Sequence, residues 1–197
     1  MDLKGKRVGL VMCASYCTLG SLLGEVKHII DEGAEIIPIM SEHARIFDTR
    51  FGKADDFAEK IEQLTGRKII YTMQEAEKIG HQDMTDVVLI APCTGNTLAK
   101  IACGVTDSAV TMAAKAHMRN GRPVLIAVST NDALGGNARN LGALLDRKNV
   151  YFVPFYQDDP GGKPASLIAD FDAMEAAIDA ALAGRQLQPL LETPPFS

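Results

Sequence analysis

Apolar side chains recur along this chain with two alternating periods. Arg7–Met12, Glu35–Met40, Val87–Ala91 and Pro123–Ser129 are short apolar runs of strand length, and Lys68–Tyr71 and Val150–Phe155 are shorter candidates of the same kind. Between them, Leu19–Glu32 places Leu22, Leu23, Val26, Ile29 and Ile30 at helical spacing and stops at Gly33. Phe57–Leu64, Thr72–Ile79, Thr97–Cys103, Ser108–Asn120 and Asn137–Arg147 read as further helices, and Ser166–Ala183 as a long alanine-rich one. The uninterrupted apolar run Val87–Ala91 marks a strand covered on both faces. Strand followed by helix, repeated, requires parallel pairing with right-handed crossovers. The predicted fold is therefore α/β: a three-layer, doubly wound domain around one mostly parallel sheet.

The chain length of 197 residues fits one such domain, with an irregular proline-rich tail over 184–197. Asp158-Asp159-Pro160-Gly161-Gly162-Lys163-Pro164 is too rich in turn formers to be regular and is expected to be a surface loop or lid. Twenty basic against 25 acidic side chains leave a net charge of −5, which argues against a dedicated nucleic-acid binder. The first residues carry no signal-peptide core, and no apolar run is long enough to span a bilayer, so a cytoplasmic location is expected. Cys13, Cys17, Cys93 and Cys103 then read as free thiols; no CxxC pair points to zinc.

In a parallel sheet, ligands bind beyond the carboxyl ends of the strands, where helix N-termini converge. Four segments fall there: Cys13–Thr18, Ser41–His43, Pro92–Thr97 and Ser129–Gly136. All are rich in small hydroxyl, amide or glycine residues. One hydroxyl suffices to cap a helix, but Thr94-Gly95-Asn96-Thr97 supplies three polar side chains and a glycine that permits close backbone approach. Such groups suit a phosphate already favoured by free amides at a helix start. No GxGxxG, GxxxxGK[ST] or GxSxG is present, which disfavours an ordinary dinucleotide domain, a P-loop NTPase and an elbow-type hydrolase. Among the histidines, His28 and His117 fall inside helices, and His43 alone lies near the ligand edge.

Ala91-Pro92-Cys93-Thr94-Gly95-Asn96-Thr97-Leu98-Ala99-Lys100 resembles the APATANTIAK signature of the FMN-binding flavoprotein family that includes the cysteine decarboxylases and the prenyl-FMN synthases. The likeness continues through Ile101–Ser108, reappears at Asn131 and Asn140-Leu141, and covers about residues 5–155. It implies a Rossmann-like or flavodoxin-like version of the predicted fold, with FMN held by Ala14, Ser15, Tyr16, Ser41, His43, Pro92, Thr94, Gly95, Asn96, Thr97 and Asn131. Two departures stand out. His81 lies closer to Asp86 than the decarboxylase pattern has it, and the PxMN substrate motif is replaced by Ser129-Thr130-Asn131.

Ser129–Asn137, Val153–Pro160 and the Cys-Thr-Gly of the middle motif resemble one branch of the family. Members of that branch work beside a dehydrogenase-like partner chain, the A subunit, in the mother cell of sporulating bacteria. The implied reaction is oxidation of a dihydropyridine-type dicarboxylate to pyridine-2,6-dicarboxylate (dipicolinate), with NADP entering through the partner. The family also implies a homo-oligomer, trimeric or dodecameric. A decarboxylase, a prenyl-transfer enzyme or a non-catalytic partner chain on the same scaffold are the alternatives. A dicarboxylate needs cations; Arg139, Lys115, Arg119 and Arg122 are candidates by type, and only Arg139 falls on the predicted ligand edge.

Overall fold

The computed structural model describes residues 3–13, 19–46, 48 and 52–193. Parallel strands β1 (Arg7–Met12), β2 (Glu35–Met40), β3 (Val87–Cys93), β4 (Val124–Thr130) and β5 (Val150–Phe152) are extended by two antiparallel ones, β6 (Phe155–Tyr156) and β7 (Leu167–Ala169). The order across the sheet is β2-β1-β3-β4-β7-β6, with β5 also on β4. β4 serves both neighbours on one side: Val124–Ile126 pair with β5, and Ser129 and Thr130 pair with β7.

Side-chain alternation along the central strands sorts the core into two. Leu10, Met12, Leu89, Ala91, Leu125 and Ala127 face helices α1 (Leu19–Asp31), α3 (Ala54–Thr65) and α8 (Met174–Leu182). Val11, Val88, Ile90, Ile126 and Val128 face α4 (Met73–His81), α5 (Gly95–Ala102), α6 (Ala109–Arg119) and α7 (Ala138–Leu145). These are the three layers and the mostly parallel sheet that the alternating periods predict. A short helix that the periodicity does not predict, α2 (Glu42–Ile46), follows β2.

Three expected elements are corrected. Ser166–Ala183 is not one helix. Its first residues form β7, which pairs with the end of β4, and Asp170 then accepts from the Asp172 amide to start a 3-10 turn over Phe171–Ala173 that leads into α8. Val150–Phe155 breaks at Pro154, which lacks an amide donor, so that β5 stays on β4 while Phe155 opens β6 against β7. Lys68–Tyr71 contributes a single bridge, Ile70 to Ile39, because Thr72 at once caps α4 in a capping box with Glu75.

The 158–164 segment is a folded turn joining β6 to β7. The Asp159 side chain accepts from the Gly162 amide at 2.8 Å, and Ser166 Oγ donates to Asp158 at 2.5 Å. Past α8 the chain returns to β6, where the Phe155 amide donates to Leu190 O and the Glu192 amide to Phe155 O.

Candidate functional site at the carboxyl edge

β1 feeds β2 on one side of the sheet, and the chain then crosses to β3 on the other. This reversal between β1 and β3 creates the crevice where open α/β sheets bind ligands. The two strands pair directly, so the end of β1, with the adjoining Cys13, and the N-terminus of α5 lie side by side. Cys13 Sγ donates to Thr97 Oγ1 at 3.2 Å, and Thr94 Oγ1 donates to the same oxygen at 3.2 Å. Thr94 also caps α5 by accepting from the Thr97 amide at 3.3 Å. Ser41 joins from β2: its amide donates to Met12 O at 3.1 Å, and its hydroxyl accepts from the Ala44 amide at 3.2 Å.

Gly95 occupies the tightest point of the edge. A Cβ there would lie 2.6 Å from Asn137 Nδ2 and 2.7 Å from both Asp132 Oδ1 and Thr130 Oγ1. Those atoms form one network. Thr130 donates to Asp132 at 2.6 Å, Asn137 donates to the other carboxylate oxygen at 2.8 Å, and Asn140 donates to Asn137 at 2.8 Å. The turn after β4 is thereby wedged against the start of α5. The first-turn amides of Gly95 and Asn96 have no acceptor among the described residues.

The expected FMN residues separate into groups. Thr94 is half-buried; Asn96 and Asn131 are exposed beside it in sequence and at the end of β4, respectively. Thr97 is buried and turned toward Cys13, so its hydroxyl ties α5 to the end of β1 rather than facing solvent. Pro92 is buried within β3, and Ser41 holds α2. His43 belongs to α2. Ala14, Ser15 and Tyr16 lie outside the described residues. Sequence reasoning missed Thr130, Asp132 and Asn137 as a supporting network; the polar cluster in Ser129–Asn137 was the available signal.

The thiols are quiet. Burial pushes Cys13 up, with partial relief from the Thr97 hydrogen bond, and pushes Cys93 well above the usual thiol range. His81 and Asp86 do not meet at this edge. Asp86 lies at the amino end of β3, clamped by Arg7, whereas His81 sits exposed on the last turn of α4, 3.9 Å from Glu77. Arg122 is also engaged away from the edge, with Asp83 at 2.5 Å and Thr85 O at 2.9 Å. Arg139 is exposed in the first turn of α7, next to the β4 turn.

A sheet reversed at β1/β3, with Thr94 capping the helix start beyond β3, is the doubly wound architecture of the nucleotide-type α/β proteins. The Flavoprotein family model matches residues 1–178, and the chain belongs to that family. It is 44% identical to the B subunit of dipicolinate synthase from Bacillus subtilis over 190 residues, covering 96% of this chain and 95% of that one. The crystal structure of the corresponding B subunit from Bacillus halodurans superimposes with a TM-score of 0.91 at 42% identity, over 98% of this chain and 100% of that one. The FMN-dependent cysteine decarboxylase SpaF shares the fold at 22% identity, with a TM-score of 0.65 over 91% of this chain and 98% of that one. Among the described residues no helix is long and apolar enough to cross a membrane.

Proposed function

We propose that the carboxyl edge holds FMN and that the chain serves as the flavin-binding component of a dipicolinate synthase, working with a dehydrogenase-like A subunit. The observation that carries this reading is the Cys13–Thr97–Thr94 lock, which fixes the end of β1 against a helix start whose Gly95 and Asn96 amides have no acceptor among the described residues. That arrangement fits a dianionic phosphate, and the family resemblance adds Ser15 as a further donor. Asn96 and Asn131 are placed to hydrogen-bond the polar rim of a ring system, and His43, on α2, borders the same edge.

When bound, FMN would supply the two-electron acceptor for converting a dihydropyridine-type dicarboxylate into pyridine-2,6-dicarboxylate. The chain's own task is to orient ring and substrate, with Arg139 as the counter-charge for a substrate carboxylate. NADP enters through the dehydrogenase-like partner in this scheme, and the working assembly contains several copies of this chain. The kinship to the Bacillus subtilis dipicolinate synthase chain over nearly the whole length supports this assignment over the decarboxylase one. So does the placement of His81 on α4, away from the carboxyl edge.

Three measurements test it. FMN at a hundred times its Kd should stabilise the protein by about 2.7 kcal/mol. Thr94→Val should weaken FMN about tenfold, by deleting a polar contact and the cap of α5. This chain mixed with its dehydrogenase-like partner, oxidised NADP and precursor should then form dipicolinate, followed by its ultraviolet absorbance, at a rate that depends on added FMN. No thermal shift at millimolar FMN, together with unchanged joint activity in its absence, would make the chain a non-catalytic partner.

A further inference from the structure

Away from the carboxyl edge, a cleft of about 310 Å³ opens between the C-terminal end of α5, the outer face of α6 and the turn that precedes β5. Four cations line it: Lys115, Arg119, Arg147 and Lys148. No carboxylate lines it, in a chain that carries 25 acids against 20 bases. The contrast with neighbouring charges is sharp. Lys100, on the same helix α5, is neutralised by Asp107 at 2.8 Å, and Arg122, just beyond α6, by Asp83 at 2.5 Å. None of the four cleft cations has an ion-pair partner among the described residues.

Helix ends account for part of this cluster. Arg119 lies in the last turn of α6, and Arg147 Nη1 donates to Ile101 O at 3.5 Å, near the end of α5. Lys115, in the middle of α6, and Lys148, in the turn before β5, have no such role. Four like charges around one cleft repel one another unless an anion screens them. The cleft also presents apolar surface. Val105 is 44% exposed at its lip and Met118 is half-buried in its wall. A volume of this size is that of a small-molecule site.

The geometry points to a second binding site, for a small organic dianion with a flat or apolar body such as an aromatic dicarboxylate. It lies at the opposite end of α5 from Gly95, about 12 Å away along eight residues of helix. It is therefore separate from the edge proposed to hold FMN and does not rest on that proposal.

Calorimetric titration of the full chain at low and moderate salt decides the matter, using pyridine-2,6-dicarboxylate, inorganic phosphate and benzoate as probes. The dicarboxylate should bind saturably with one site per chain, more tightly than phosphate, which lacks an apolar body, and than benzoate, which lacks the second charge. Lys115→Glu and Arg147→Glu should each weaken it about tenfold or more, with an unchanged urea unfolding curve as the check on folding. Thr94→Val should leave it intact. Four results overturn the proposal: no saturable binding at millimolar dicarboxylate; equal affinity for phosphate; loss through Thr94→Val but not Lys115→Glu; or charge reversals that abolish only co-purification with the dehydrogenase-like partner, which would make the cleft a docking surface.

Discussion

The two edges of this sheet handle polarity in opposite ways. At the amino edge, long charged side chains close on one another. Asp86 accepts from the Arg7 amide at 2.8 Å, from its Nε at 3.2 Å and from its Nη2 at 2.6 Å, while the Asp86 amide donates back to Arg7 O at 2.7 Å. Arg122 bridges Asp83 and Thr85 O, and His117 is buried between Thr85 and Pro123 O. At the carboxyl edge the polar groups that meet one another are short and, apart from the half-buried Asp132, uncharged; Arg139 stays exposed beside them, and the Gly95 and Asn96 amides have no acceptor among the described residues. Donors satisfied within the protein build architecture, whereas donors held in place and left open are what a ligand can use. Net charge does not mark the ligand edge; incomplete pairing on a rigid frame does.

The largest way to break this contrast is at Gly95. Gly95→Val drives a branched side chain into atoms 2.6–2.7 Å from where its Cβ must lie, on the Thr130–Asp132–Asn137 network. Either α5 or the β4 turn must retreat, at a cost of about 3 kcal/mol. Denaturant unfolding should show that loss, and FMN binding should disappear even at temperatures where the fold persists. Asp86→Asn probes the other edge. It keeps the shape but removes the charge that Arg7 clasps, a loss of about 2 kcal/mol by the usual worth of charged hydrogen bonds. FMN affinity should stay within twofold of the parent, because the substitution sits at the far end of β3. A large drop in affinity with an intact fold would mean that the edges are coupled through the strand.

Most of the fold was legible because the core strands carry the pattern on their own. Val87–Ala91 and Val124–Val128 are apolar without interruption, and Leu22, Val26 and Ile29 repeat at helical spacing on α1. The misread segments are those whose conformation depends on a distant partner. Leu167–Ala169 is a strand because the ends of β4 and β6 offer it hydrogen bonds, and an alanine-rich local pattern gives no notice of that. Glu42–Ile46 is too short for a period to register. At the site, Thr94, Gly95 and Asn96 were visible as small polar residues after a buried strand. That Thr97 would turn inward to Cys13, 84 residues away in sequence, was not, since the contact exists only once β1 and β3 pair. The Thr130–Asp132–Asn137 network was hidden for the same reason: its purpose is set by the glycine it presses against.

The smallest predicted effect comes from the one titratable imidazole that the amino edge buries. Its Nδ1 lies 3.1 Å from Pro123 O, and its Nε2 lies 2.7 Å from Thr85 Oγ1 and 3.3 Å from Thr85 O, so the ring has partners on both nitrogens. Burial holds His117 below its ordinary value near 6.5, assisted by Arg122; the carbonyls of Pro123 and Thr85 and the charge of Asp86 only partly oppose it. The unfolded chain therefore takes up a proton at this residue at a higher pH than the folded one does. Below about pH 6.5 that difference favours unfolding, so the stability associated with neutral His117 is present above 6.5 and is lost as pH falls through the lowered folded value. The slope from this residue cannot exceed one proton, about 1.4 kcal/mol per pH unit. Stability measured in urea from pH 7.5 down to 5.5 should fall for the parent protein and fall less steeply for His117→Gln, whatever its absolute stability. FMN affinity over the same range should change equally in both proteins, because the imidazole sits at the closed edge. Identical stability slopes would show that His117 takes up its proton over the same pH range folded as unfolded, and that the amino edge is less tightly closed than its hydrogen bonds indicate.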